Sequence, residues 1–255
     1  MIAVLKLNKK RGSLGRVFFL LGLLIWVLAG SALRAHPEDE VCDPSEPPTP
    51  FCLAMMGQLE TEDPPTALDT VREYVGLGVV HIIPRGLDHI AFVLALFLSA
   101  QTWRSLVLQV TTFTVAHSIT LALTVLGLTT ATGPIVEVLI AASIVFVAVE
   151  NLWLAGNRIR RWRYAVVFGF GLLHGLGFAG VLLELGLPQG QLALALVAFN
   201  LGVEGGQLIV VLAAMLLGWG IFLRKFGKQN YHRGFCRPLN LAIAGVGLFW
   251  LMQRL

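Results

Sequence analysis

Long apolar segments follow one another from residue 71 to the end of the chain, separated by short polar loops. Each segment is long enough to cross the ~30 Å hydrocarbon core of a bilayer as an α-helix. Lipid cannot hydrogen-bond to a backbone, so we expect helices, which satisfy their own polar groups. The predicted spans are 72–100, 106–127, 134–154, 164–185, 190–218 and 237–253. The sequence therefore predicts an all-α fold, a polytopic membrane protein with a six-helix transmembrane bundle.

The composition supports a membrane protein over a soluble one. Hydrophobic residues make up 56% of the 255 residues and charged residues only 13%, whereas an average soluble domain has about 25% charged residues. Such a chain cannot cover itself with a polar surface, which excludes a soluble enzyme and an intrinsically disordered protein. Its basic residues lie in short clusters between apolar segments, and this pattern indicates membrane topology rather than nucleic-acid binding.

The first 35 residues have the pattern of a secretory signal peptide. Basic residues come first, an apolar core follows over residues 17–29, and small residues continue to Ala35. We predict that residues 1–35 are cleaved, because the core is shorter than the ~20 residues of a comfortable span. An uncleaved signal anchor is the alternative.

Residues 36–70 differ in composition from the rest of the chain. They are acidic, rich in proline and without periodicity, so we predict an irregular exported segment. Cys42 and Cys52 both lie in it. If the segment is exported, they form a disulfide or remain as free or metal-binding thiols. Residues 71–255 then make up the transmembrane domain.

The basic residues alternate between loops in a consistent way. The stretches Arg158–Arg163 and Arg224–Arg237 are basic, whereas the loops 128–133 and 186–189 contain no Lys or Arg. By the positive-inside rule, the basic loops are cytoplasmic. Residues 36–70 and the C-terminus are then expected outside.

Ionisable side chains inside the apolar spans carry the functional signal. Such groups are costly in lipid, so they usually face the bundle interior and mark paths for ions or protons. The candidate metal ligands are His81, Asp88, His89, His117, Glu137, Glu150, His174, Asn200 and Glu204. Several are predicted near the middle of the bilayer, with His81 and Glu137 farther out and Glu150 farther in. A series of nitrogen and oxygen donors at successive depths is what a cation path needs.

Two charged positions near these candidates have more than one interpretation. Arg85 is expected either to be a counter-ion of Asp88 or another carboxylate, or to reach outward to the interface. Glu150 is either a ligand of the path or a structural ion pair with Arg158 or another arginine. The Pro84-Arg85-Gly86 sequence predicts a kink or break in the first span. His81 and Asp88 would share a helix face if that kink is small.

Helix-face patterns add two further predictions. Asn200, Glu204 and Gln207 are spaced i, i+4 and i+7, which places them on one stripe of the fifth span. Gly171 and Gly175 form a small-residue pair in the fourth span, which lets another helix approach closely.

Five motifs resemble the HupE/UreJ family of hydrogenase and urease accessory membrane proteins, and the resemblance covers about residues 72 to 253. They are His81-Ile-Ile-Pro-Arg-Gly-Leu-Asp88-His89, Phe113-Thr-Val-Ala-His117-Ser-Ile-Thr, Val149-Glu150-Asn151, His174-Gly-Leu-Gly-Phe and Phe199-Asn200-Leu-Gly-Val-Glu204. The resemblance implies a secondary permease for Ni²⁺ or Co²⁺ in a bacterial inner membrane, with His81, Asp88 and His89 in the first-helix motif. The expected partners are the lipid bilayer and the metal ion, with a second copy of the chain and metalloenzyme maturation proteins as further candidates. No nucleic acid and no organic cofactor are expected.

Two other functions remain open at the level of sequence. A His, Asp and Glu cluster could hold Zn²⁺ and activate water, which would make the chain an intramembrane hydrolase, although no HExxH motif occurs. A non-transporting accessory or sensor protein would bind the metal without moving it. Mixed imidazole and carboxylate donors suit several divalent first-row ions, so composition alone does not choose among the three.

Overall fold

The computed structural model describes residues 66–100, 102–129, 133–154, 162–184, 188, 190–218 and 232–255. The predicted signal peptide and the two cysteines Cys42 and Cys52 lie outside these residues. Within them the regular structure is entirely helical, which confirms the all-α prediction. The helices are α1 (Ala67–Ile82), α2 (Leu87–Ser99), α3 (Trp103–Val125), α4 (Pro134–Leu154), α5 (Trp162–Glu184), α6 (Leu192–Leu217) and α7 (Arg237–Arg254), with a π-helical turn at His232–Cys236 before α7.

The helices have the length and apolarity of a multi-pass membrane protein. Four of them qualify as membrane spans, namely α3, α4, α6 and the helix that ends in α7, and α1 with α2 brings the number to five if that bent pair is one span. The α5 helix has 23 residues but is not among the four. The prediction of several apolar spans is therefore confirmed, while the count of six stays a prediction.

The first predicted span is broken where proline was expected to interrupt it. The α1 helix ends at Ile82, α2 begins at Leu87, and their axes are bent by 73°. Proline removes a backbone donor and clashes with the preceding turn, so a helix kinks or breaks near such a residue, and here it breaks at Pro84. Gly86 allows the tight return of the chain, since a Cβ there would lie only 3.1 Å from the Ile82 Cα. A 73° bend is large, so the condition under which His81 and Asp88 would share one helix face is not met.

Glycines bring the helices of two pairs into backbone contact. In the α3–α5 pair, a Cβ on Gly171 would lie 2.5 Å from the Phe113 carbonyl oxygen, and one on Gly175 would lie 3.0 Å from the His117 Cα. This confirms the close approach predicted for Gly171 and Gly175. The α1–α6 pair uses the same device at Gly78, where a Cβ would lie 2.8 Å from a backbone nitrogen of α6. These pairs and α4–α7 are the most extensive helix contacts among the described residues.

Apolar side chains cover the outside of the bundle and also fill much of its interior. Val115 on α3 and Leu201 on α6 are large, exposed and apolar, as expected of surfaces that face lipid rather than water. Inside, α2 has buried residues on most of its surface. At 13 residues and 1.5 Å per residue, α2 is too short to cross the membrane alone. It is instead a short buried helix, and its N-terminal residues, among them His89, lie within the bundle.

Candidate metal centre

Three histidines from three helices meet inside the bundle. His81 lies in the last turn of α1, His89 near the start of α2 and His117 in α3. One potential ligand atom of each lies within 4.8 Å of those of the other two. The ring centroids are 4.7 Å apart for His81–His89, 5.6 Å for His89–His117 and 6.0 Å for His81–His117. We call these three residues the histidine cluster.

The break between α1 and α2 creates the contact between His81 and His89. In one straight helix, residues eight positions apart would lie about 12 Å apart along the axis. The bend at Pro84 folds the chain so that the two rings touch edge to face at 4.7 Å. The sequence pattern predicted His81 farther out than His89, and in the structure the two rings are in contact.

His174 stands beside the cluster and has a defined tautomer. Its ring centroid is 4.9 Å from that of His89. Its Nδ1 is 2.8 Å from the Phe170 carbonyl oxygen, and a carbonyl oxygen only accepts, so Nδ1 carries the proton and donates. The Nε2 atom of His174 therefore keeps its lone pair. A backbone carbonyl that holds the distal nitrogen in this way is the usual support of a histidine that binds metal.

The ring nitrogens of these histidines are buried but make few hydrogen bonds. Among the described residues, no partner is found for Nε2 of His81, His89 and His174, or for either ring nitrogen of His117. A buried polar atom without a partner costs about 1–3 kcal/mol, so five at one place need a physical reason. Neutral imidazole nitrogens are ligands for Ni, Co, Zn and Cu ions. A metal ion binds one nitrogen of each ring, and each histidine of the cluster offers one such atom within 4.8 Å of those of the other two.

Aromatic side chains form the wall around the histidines. The Phe178 ring centroid is 3.7 Å from that of His81, Phe113 is 5.7 Å from His89, and Phe92 is 5.3 Å from His174. These rings offer no hydrogen bonds that could compete for the imidazoles. An apolar shell also limits access of water and lowers the local dielectric, so an ion held here would lose most of its hydration.

A carboxylate pair lies beside this region and shares one arginine. Arg254, in the last turn of α7, donates from Nη2 to Asp88 Oδ2 at 2.9 Å and from Nη1 to the Glu137 carbonyl oxygen at 3.2 Å. Its Nε lies 3.8 Å from Glu137 Oε2. Asp88 and Glu137 are thus brought together, but by a guanidinium and outside the three-histidine group. No role was predicted for Arg254 from the sequence. The only feature that could have indicated one is its position at the end of an apolar span.

The family model described as HupE / UreJ protein matches residues 58–254. The chain belongs to the HupE/UreJ family. No curated protein and no solved structure matches it. Family membership together with the histidine cluster indicates a metal-related accessory or transport function.

In this HupE/UreJ protein, Glu150 belongs to a separate buried network. Arg163 donates from Nη1 to Glu150 Oε2 at 2.7 Å, from Nε to Gln109 at 3.0 Å, and from Nη2 to Ser99 and Asn151 at 2.9 and 3.0 Å. The ion pair is the second of the two interpretations given for Glu150. Arg163 is the second residue of α5 and only 1% exposed, so it lies inside the bundle and not in the basic loop to which the sequence pattern assigned it. We call Arg163 and these four partners the arginine network.

The polar stripe of α6 in the HupE/UreJ fold faces α3. Thr111 donates to Glu204 Oε1 at 2.7 Å, and Thr114 donates to Gln207 Oε1 at 3.0 Å. Asn200 donates to the carbonyl oxygen one turn earlier, at 2.8 Å, while its Oδ1 is buried and has no partner among the described residues. Glu204 and Asn200 are therefore part of the bundle interior, but neither is among the residues that meet in the histidine cluster.

Proposed function

We propose that this HupE/UreJ protein is a secondary permease that moves a divalent first-row metal ion, foremost Ni²⁺ and secondly Co²⁺, across the inner membrane. The observation that carries the proposal is the set of five buried ring nitrogens that have no hydrogen-bond partner among the described residues, found within a bundle of membrane-type helices. The metal is the cargo, and the imidazoles of His81, His89, His117 and His174 take the place of its water ligands during passage.

The donor set favours a borderline ion that binds only transiently. Imidazole suits Ni²⁺, Co²⁺ and Zn²⁺ better than Mg²⁺ or Ca²⁺, which prefer oxygen. Neutral imidazoles leave the charge of the ion uncompensated, and the cluster itself holds no carboxylate or thiolate. A transport site must bind strongly enough to admit an ion and weakly enough to release it. A neutral nitrogen site surrounded by phenylalanines fits that requirement.

The inward direction follows from the membrane potential. No GxxxxGK[ST] motif for nucleotide binding occurs in the sequence. A divalent cation gains ~4.6 kcal/mol per 100 mV when it moves toward the negative side. With the basic loops on the cytoplasmic side, the remaining candidates Asp88, Glu137, Asn200 and Glu204 serve as approaches to the cluster. Metalloenzyme maturation proteins, or a second copy of the chain, are the partners to look for.

The test is ⁶³Ni²⁺ uptake into proteoliposomes that contain the purified protein, with Co²⁺, Zn²⁺ and Cu²⁺ as competitors. We expect saturable uptake that His89→Ala lowers by about 100-fold or more, because losing even a group that supports a metal ligand costs ~10–100-fold in affinity. His232→Ala removes a histidine outside the cluster and is the matched control. Equal uptake by the wild type and His89→Ala would refute the proposed path.

A zinc-dependent intramembrane hydrolase is the second candidate, because three histidines with an open fourth position also form catalytic zinc sites. Such an enzyme would bind Zn²⁺ tightly and cleave a lipid or peptide without moving the metal. Tight binding without uptake, followed by a positive cleavage assay, would favour it. Binding without uptake or cleavage would favour an accessory or sensor protein.

A further inference from the structure

Arg254 lies between two carboxylates beside the histidine cluster. It contacts Asp88 through one charged hydrogen bond and Glu137 through its carbonyl and carboxylate oxygens. Asp88 directly precedes His89 at the start of α2, so the ion pair adjoins the histidines that are proposed to receive the metal.

We infer that Arg254 is a tethered counter-ion that occupies Asp88 until the incoming divalent cation displaces it, and that it thereby sets the apparent affinity of the path. This inference rests on the proposed function, since it concerns the loading of the same site. Arg254 is a positioning residue in this role: it acts on the metal only through the Asp88 carboxylate.

The charge balance favours displacement over coexistence. Asp88 and Arg254 together carry no net charge. A divalent cation that joined the pair would leave two net positive charges, whereas one that replaced the guanidinium would leave only one. The side chains of Arg254 and Asp88 are only 15% and 22% exposed, and uncompensated charge is costly where water is scarce. Arrival of the metal should therefore release Arg254.

The geometry allows the exchange to proceed in steps. Arg254 holds only Oδ2 of Asp88, while Oδ1 is buried and has no hydrogen-bond partner among the described residues. Oδ1 is therefore the oxygen available to bind a cation while the guanidinium still holds Oδ2, so the carboxylate need never be without a positive partner. The Trp250 ring, 5.9 Å from the Arg254 Cζ, lies at the limit of cation–π distance and gives the released guanidinium a neighbouring surface.

The kinetic test compares Arg254→Gln with Arg254→Lys in the ⁶³Ni²⁺ uptake assay. Removal of the competing charge should lower KM by about two- to fivefold, the effect of losing one partly exposed ion pair, with Vmax nearly unchanged. Arg254→Lys keeps the charge and should stay near the wild-type KM. Arg237→Gln alters an exposed arginine at the other end of the same helix and is the control. A raised or unchanged KM in Arg254→Gln would overturn the inference.

A second measurement uses the wild-type protein and needs no variant to fold. Phenylglyoxal modifies accessible arginines, and mass spectrometry of the products reports each arginine separately. Ni²⁺ should increase the modification of Arg254 and leave that of Arg237 unchanged, whereas Mg²⁺ should affect neither. In Asp88→Asn, Arg254 should be reactive without any metal. If Ni²⁺ leaves the reactivity of Arg254 unchanged, the displacement does not occur.

The two proposals fail in different ways. Absence of wild-type uptake would contradict the permease, but labelling requires only that metal binds and would still report on Arg254. Saturable uptake with an unaltered KM in Arg254→Gln and no change in labelling would leave the permease in place and remove the role of Arg254.

Discussion

The histidine cluster and the arginine network are both groups of buried polar side chains in an apolar bundle, yet their hydrogen bonding differs: among the described residues, the network leaves only Glu150 Oε1 without a partner. Arg163 makes four hydrogen bonds to side chains of α2, α3 and α4, so its donors hold helices together. The cluster and His174 leave five ring nitrogens without a partner in the part of the chain that the structure describes. Buried polar groups are normally satisfied. The fold therefore accounts for the network, whereas the unpartnered nitrogens of the cluster are the atoms that the proposed metal ion would bind.

The comparison predicts that damage to the network will unfold the protein. Arg163→Met leaves the Glu150 carboxylate, only 8% exposed, buried without its cation. Loss of one partner of a buried ion pair costs about 3–5 kcal/mol. We expect a lower Tm in detergent and less folded protein in the membrane, measured by scanning fluorimetry and size-exclusion chromatography.

The control for this change is Arg104→Met, which removes an exposed arginine at the start of α3 and should shift stability by less than about 0.5 kcal/mol. In the double variant Arg163→Met with Glu150→Leu, neither charge remains. We expect it to be more stable than Arg163→Met alone, because the uncompensated carboxylate is gone. If all three variants melt like the wild type, the network does not stabilise the fold.

A substitution in the histidine cluster is expected to reduce nickel uptake without lowering the Tm. His117→Phe removes two unpartnered nitrogens and keeps a ring of similar shape among Phe113 and its neighbours. The Tm should stay equal or rise, since a buried unsatisfied polar atom costs about 1–3 kcal/mol. Nickel uptake should nevertheless fall by about 100-fold. A large fall in Tm would mean that His117 is structural, and the contrast between the two regions would not hold.

Close packing of α3 against α5 should affect both the stability of the protein and its nickel uptake, and Gly175→Ala tests this. A Cβ at residue 175 would overlap the Thr120 hydroxyl and the His117 carbonyl oxygen, so α3 and α5 must separate. Overpacking of this kind costs about 1–3 kcal/mol, and it should move His117 away from His174. We expect reduced uptake although no proposed ligand is changed.

Gly169→Ala on the same helix is the matched control, because a Cβ there would meet no atom within 4 Å. It should leave uptake and Tm close to wild-type values. Equal behaviour of the two alanine variants would show that the α3–α5 spacing does not position the histidines.

The sequence predicted the cluster better than it predicted the charges around it. Ionisable residues are rare in apolar spans, so His89, His117 and His174 could be selected from the sequence as candidate ligands. Their rings lie close together in the structure. The contact between His81 and His89 was not predicted, because Pro84 indicates a break but not its 73° angle, which depends on how α2 packs. Arg163 was misassigned because it adjoins other loop arginines, and only the tertiary contact with α4 shows that it is buried.

The smallest predicted effect concerns Glu204, which stands between the two kinds of site. It is a candidate ligand, yet Thr111 already donates to its Oε1 at 2.7 Å. Thr111→Val removes that hydrogen bond and should destabilise the protein by about 1 kcal/mol, seen as a small fall in Tm. Thr112→Val is the control, since Thr112 donates to a carbonyl oxygen of its own helix. If uptake stays within about threefold of the wild type, the bond belongs with the structural network. If uptake falls as far as in His117→Phe while the Tm stays unchanged, Glu204 acts together with the histidines. The functional site would then include a residue of α6.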